Sequence, residues 1–245
     1  MMRLSVAATV LALGGYATFG AAECTVRGEP REPPASAGIV ERFLSRDDPA
    51  LASYRALRTL EAVARGGRMR ARLTAWTTLD PADGFNYWVV EESGSGLIRK
   101  KVLRAALEAE RTIRSTGQAR SAELTPNNYD FSTASQIERG LVRIDIRPKR
   151  RHPMLVEGSI LLTEPDGDLQ QVEGTLSRRP SFWTREVHIV RRYERISGVR
   201  VPVAMESTAH VIAAGTSTFS MVYEYAAING EAQGTQARGD PNARR

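Results

Sequence analysis

LIRKKVLRAALEAERTI, Leu97 to Ile113, is the one long helical pattern in a chain that otherwise alternates with the period of strands. At 100° per residue, Ile98, Val102, Ala105, Ala106, Ala109 and Ile113 share one arc, which Leu103 and Leu107 widen to roughly 200°. An ordinary surface helix shows a stripe of about 100°. The polar remainder is narrow: Lys100, Lys101, Arg104, Glu108, Arg111 and Thr112. Ser93 or Ser95 can cap its start, Gly117 can supply a left-handed stop, and Arg111 and Arg114 complement the dipole of the last turn. A helix of this kind set between β segments is expected to lie across a sheet with apolar material on a second side, as a further core layer or as a cover over a cavity.

The segments around it are strands. Tyr54 to Val63 is a candidate strand, with helix as the alternative, and Met69, Ala71, Leu73 and Ala75 alternate with Arg68, Arg70, Arg72 and Thr74. Phe85 to Val90 is apolar on both faces, which predicts a central position in the sheet. After the helix come Tyr129 to Gln136, Leu141 to Arg147, the hairpin Val156 to Ser177 with its Asp-Gly turn, Arg185 to Ile196, Val199 to Val211, and Thr216 to Tyr225. Pro202 predicts an edge or a bulge. Tight hairpins imply antiparallel neighbours, and no strand-helix alternation supports a parallel sheet. The expected class is α+β, mostly antiparallel, curling into an incomplete, half-open β-barrel whose concave face the long helix covers.

The N-terminus reads as an export signal. Arg3 precedes an apolar run from Leu4 to Phe19, and Gly20, Ala21 and Ala22 follow, so residues 1–22 are expected to be a cleaved signal peptide. A Pro-rich linker (23–37), one domain (38–229) and a disordered tail (230–245) complete the expected organisation. Within the domain, Ile39, Val40, Phe43 and Leu44 predict a short amphipathic helix that caps one end of the sheet. Cys24 is the single cysteine, so no internal disulfide forms. Lipidation at Cys24, which would make an outer-membrane lipoprotein, is disfavoured by Glu23 directly before it and Ala21 three positions before it. A periplasmic location follows.

Lys and Arg number 34 against 28 acidic residues, a net charge of +6 spread among apolar positions. That distribution argues against a nucleic-acid footprint and leaves weak attraction to a membrane surface open. The run Lys149, Arg150, Arg151, His152 could meet lipid phosphates or an acidic partner, or be a solvated corner.

The chain resembles the LolA/LolB-type superfamily of bacterial outer-membrane lipoprotein carriers and sorting proteins. The resemblance rests on the repeated VEG of one hairpin (Val156 to Gly158, Val172 to Gly174), on PSFW (Pro180 to Trp183), on SGVRVPVAMES (Ser197 to Ser207), and on GSGLIRKKVLRAALEAE (Gly94 to Glu110) at the place of an internal helix. It covers most of Tyr54 to Asn229. It implies an incomplete antiparallel barrel that binds acyl chains or lipidated partners in its concavity, but singles out no arginine as the counterpart of the family's cargo-binding arginine.

Chemistry is not evident. His152, His188 and His210 are far apart in sequence, Ser95 lacks the glycine that a nucleophile elbow needs two positions earlier, and no phosphate loop, dinucleotide fingerprint or metal motif occurs. Asp166 and Asp168, and Asp80 and Asp83, are accounted for by turn chemistry. The expected protein is therefore no enzyme, needs no cofactor, and holds a lipid or lipidated protein in a cavity lined by Met69, Leu73, Ile98, Val102, Ile113, Phe219, Met221 and Tyr223. Trp76, Trp88 and Trp183 are expected in the core. The alternative is a regulatory domain of the same fold that binds an envelope protein partner.

Overall fold

The computed structural model describes residues 35–137, 140–179, 184–212 and 215–233. The expected signal peptide, Cys24, PSFW with Trp183, and the tail beyond Gln233 lie outside them.

Helix α1 (Ala35–Ser45) leads into β1 (Tyr54–Ala64), β2 (Met69–Asp80) and β3 (Gly84–Gly94), an antiparallel meander. Seven further strands follow the long helix: β4 (Tyr129–Ile137), β5 (Leu141–Pro148), β6 (Val156–Thr163), β7 (Leu169–Leu176), β8 (Thr184–Ile196), β9 (Val199–Val211) and β10 (Gly215–Ile228). A two-residue β11 (Glu231–Ala232) pairs with β10, so the chain is still in the sheet past Asn229. The strand order is β3-β2-β1-β10-β9-β8-β7-β6-β5-β4, open at β3 and β4. Leu60 of β1, Ile144 of β5 and Ile160 of β6 nonetheless share one apolar cluster, which requires the sheet to curl around its own inner face. The class is the expected one, an open antiparallel barrel with one long helix.

The strands obey period two. Tyr54, Ala56, Arg58, Leu60 and Ala62 of β1 are all buried on the inner face, as are Phe219, Met221, Tyr223 and Tyr225 of β10. Strand β3 departs from expectation: it is an edge strand, not a central one. Its two apolar faces have separate causes. The long helix covers the inner side, where Phe85 is buried, and Trp88 stacks on Trp76 of β2 on the other side, with their centroids 6.4 Å apart. The Arg55 guanidinium lies 4.8 Å from the Trp76 ring centre. Pro202 sits in β9, a central strand, at an irregularity where Arg192 faces Ala204 but Tyr193 faces Pro202.

The long helix is composite: α2 (Gly96–Ile98), a π-helical turn (Arg99–Leu103) and α3 (Arg104–Ser115), stopped by Gly117 at φ +68°. Ser95 holds the N-cap position without a side-chain capping bond. The π turn explains the over-wide apolar arc. Ile98 and Leu103, five residues apart, are both buried across it, and the α-helical spacing Leu103, Ala106, Leu107, Glu110 then continues the buried stripe.

Helix α1 packs on β4, with Phe43 beside Phe131 at 6.3 Å. It begins at Ala35, inside the stretch read as linker. Asp168 does more than turn the β6–β7 hairpin. It is buried and pairs with Arg195 at 2.7 Å, while Arg195 and Arg200 also reach Asp48 at 2.9 and 3.0 Å. Burial would raise the Asp48 carboxyl, but Arg200, Arg195 and Arg46 hold it below the ordinary value.

The glycines of the repeated VEG face each other across β6 and β7. A Cβ on Gly158 would lie 2.2 Å from the Glu173 carbonyl oxygen, and one on Gly174 would lie 2.3 Å from that of Glu157. Backbone, not a movable side chain, blocks both. Gly158→Ala is expected to cost about 2 kcal/mol, read as a lowered denaturation midpoint with an unchanged slope.

Candidate functional site

Beneath the helix lies a charge that the apolar period does not announce. Arg58 projects from the middle of β1 into the concavity and is 1% exposed; Glu110 comes down from α3 and is 2% exposed. Their contact is a fork: Nη1 to Oε2 at 2.5 Å and Nη2 to Oε1 at 3.2 Å. Arg58 Nη2 also donates to the Tyr54 hydroxyl, and Arg114 Nε donates to Glu110 Oε1 at 3.0 Å. Aromatic rings surround the guanidinium, with Tyr223 at 4.5 Å and Phe85 at 5.2 Å from its carbon. Met221 Sδ is 3.8 Å from Nη1.

Such a pair is stable only because each charge answers the other. Burial pushes the Glu110 carboxyl up, but Arg58 and then Arg114 outweigh it and leave it below the ordinary range. Burial likewise pulls the Arg58 guanidinium down, and Glu110, Tyr54 and Tyr223 hold it well above its usual value. Arg191 of β8 is a second buried guanidinium on this face, hydrogen-bonded to Tyr193 and 3.7 Å from Met205 Sδ.

Two further anchors tie the helix to β3. Glu92 accepts from Arg99 at 2.7 Å and from Arg104 at 2.9 Å, so one carboxylate holds the π turn and the start of α3. Tyr87 donates to Glu108 at 2.5 Å, under an Arg111 guanidinium 4.8 Å from its ring centre. Burial, with the Glu108 hydrogen bond, pushes the Tyr87 hydroxyl up to about 12. The helix is therefore fastened at three points, two of them on the accessible β3 edge and one in the core.

The eight expected lining residues come together in one apolar cluster. Leu73, Ile98, Phe219, Met221 and Tyr223 are buried, while Met69, Val102 and Ile113 are half-buried against them. Arg58 and Glu110 are the members that sequence reading missed. The signal was there in each case: Arg58 shares the inward parity of Tyr54, Ala56 and Leu60, and Glu110 lies on the Leu103–Leu107 side of the helix.

The histidines are separate in space as well as in sequence. His188 Nε2 lies 3.5 Å from Glu173, His210 Nδ1 lies 3.4 Å from the Thr216 hydroxyl, and His152 Nδ1 accepts from the Met154 N–H. Among the described residues no three His, Cys, Asp or Glu side chains are placed to hold a metal ion, and no helix is long and apolar enough to cross a membrane.

No family model matches the chain, and no curated protein does. Solved structures do resemble it. One is a LolA superfamily protein from Nitrosomonas europaea, 12% identical over 77% of this chain and 90% of that one, with a TM-score of 0.37. Another is a DUF1329 family protein from Desulfovibrio piger, 10% identical over 78% and 91%, with a TM-score of 0.36. A third is described as an outer membrane lipoprotein-sorting protein domain from Vibrio parahaemolyticus, 9% identical over 82% and 93%, with a TM-score of 0.37.

Removing one partner of the buried pair strands the other. Arg58→Leu is expected to cost about 3–5 kcal/mol in denaturant unfolding. Glu110→Leu should cost more, because it leaves Arg58, Arg114 and Arg191 facing one another, and the double leucine variant should lose less than either single one. Glu110 titrates lower in the fold than its unfolded value of 4.5, so its contribution is complete above pH 4.5 and disappears as pH falls through the folded value. The pH dependence of stability below 4.5 should accordingly flatten in Glu110→Gln.

Proposed function

We propose that this is an exported envelope protein that shelters an acyl chain, a lipid or the lipidated end of a protein beneath its long helix, in transport or sorting toward the outer membrane. One observation carries the reading: a single helix with polar fastenings closes the apolar inner face of an open barrel. Here Glu92 and Tyr87 hold it at the accessible β3 edge, where contacts exchange readily for water once the helix lifts, while the buried Arg58–Glu110 pair holds it in the core. The resemblance of the sequence to lipoprotein carriers points the same way.

The energetics set how such a cover must work. Each enclosed methylene contributes about 0.8 kcal/mol, so a chain of a dozen would be held by about 10 kcal/mol. A cavity permanently open to that extent would not release its cargo. A cover that re-seats Ile98, Leu103 and Leu107 on the sheet competes with the cargo for the same surface and returns part of that energy at release. Residues 1–22 supply the export step, and the cargo enters at the β3 side, where two of the fastenings lie.

Native mass spectrometry of protein purified from an envelope extract is expected to show a stoichiometric acyl-containing adduct, and Val102→Asp, at the half-buried rim of the helix, should abolish it while circular dichroism stays unchanged. Protein that emerges free of lipid but bound to an envelope protein would instead select the partner-binding alternative.

A further inference from the structure

The connections gather charge by end. Antiparallel pairing brings the β1–β2 turn, the start of α2, and the β5–β6, β7–β8 and β9–β10 connections to one end of the barrel: Ala64 faces Met69, Gly94 faces Ala71, Val156 faces Leu176, and Thr184 faces Val211, which itself faces Gly215. Arg65 and Arg68 lie in the first of these connections, Arg151 in the third, Arg178 and Arg179 in the fourth, and Arg185 beside it on β8. All six are exposed, and none pairs with an acidic residue among the described residues. The opposite end, made by the β2–β3, β6–β7 and α1–β1 connections and by β11, exposes Asp47, Asp80, Asp83, Glu164 and Glu231. Among the described residues the unpaired exposed charge is thus polarised along the strands, while Arg147 with Glu157 and Lys149 with Asp130 form ion pairs at the basic end.

The basic end also carries apolar side chains in water. Leu97, on the first turn of the helix, is 53% exposed, and Ile212, after β9, is 38% exposed. Between Ile212 and the arginines runs a cleft of about 1050 Å³, bordered by Arg151, Arg178, Arg179 and Arg185 with one carboxylate, Glu186, among them, and floored by Leu176 and Val187. Unpaired guanidiniums beside exposed aliphatic groups suit a surface that offers phosphodiesters above hydrocarbon. An acidic protein or a nucleic acid would leave Leu97 and Ile212 without a complement.

We propose that this end is a docking surface for an anionic phospholipid membrane, with the arginines on headgroup phosphates and Leu97 and Ile212 entering the acyl boundary. The inference does not depend on what the concavity holds, since it concerns residues outside the helix–sheet interface. It would orient the barrel with its strands across the plane of the membrane and the start of the helix nearest to it.

Vesicle flotation tests it with the exported protein as purified from an envelope extract. Vesicles of 30% phosphatidylglycerol in phosphatidylcholine should carry the protein up the gradient, pure phosphatidylcholine should carry little, and raising the salt to 0.5 M should release it. At about fivefold per arginine near an anionic surface, Arg178→Gln, Arg179→Gln and Arg185→Gln together should weaken binding about a hundredfold. Ile212→Ser should weaken it at low salt without changing the salt dependence. Equal flotation with neutral vesicles, or full binding by the triple variant, would overturn the proposal, as would no flotation with either vesicle. None of these results bears on the bound adduct read by mass spectrometry, so the two readings fail separately.

Discussion

A guanidinium and a carboxylate buried face to face determine how the rest of this molecule is arranged. Neither Arg58 nor Glu110 can be left alone in an apolar interior, where an unpaired charge costs several kcal/mol. The helix must therefore cross the sheet where Glu110 meets the middle of β1, and the aromatic residues must stand where they do: Tyr54 to complete the donor pattern, Tyr223 and Phe85 to offer ring faces to the remaining charge. A purely apolar seam would let the helix slide by a turn at little cost. The pair fixes its register, and the contacts at Glu92 and Tyr87 fix its angle.

Most of the architecture was legible in the residues. The alternation in Phe219, Met221, Tyr223 and Tyr225 predicted an inward row that the structure contains, and the Asp-Gly turn predicted the β6–β7 hairpin. Position within the sheet was less legible. The double apolar face of Phe85 to Val90 suggested a central strand, because sequence cannot distinguish two neighbouring sheet layers from a helix on one side and a tryptophan pair on the other. The π turn of the helix shifts the phase part-way along, which a wheel drawn at constant pitch displays as a broad face.

The site was half legible for a related reason. The inward apolar residues follow from period and hydrophobicity, and they join or pack against the buried cluster. Arg58 and Glu110 form no constellation close in sequence or at a known spacing; only the fold brings them together. A charged residue in phase with an apolar row is the more general signal, and both carry it. Charge segregation was invisible for the same reason: the six arginines come from separate stretches, and only antiparallel return brings them to one end.

The strand order has a consequence for how the chain is made. β1 lies between β2, its immediate successor, and β10, which begins about 150 residues later. The meander of β1, β2 and β3 with its helix can form early, yet one edge of β1 stays bare, and Arg58 lacks Tyr223 and Met221, until the last long strand arrives. Contacts so distant along the chain close slowly and leave a sticky intermediate in the meantime. Truncation near the C-terminus would then do more than remove an edge: it would unseat the strand on which the buried pair is built.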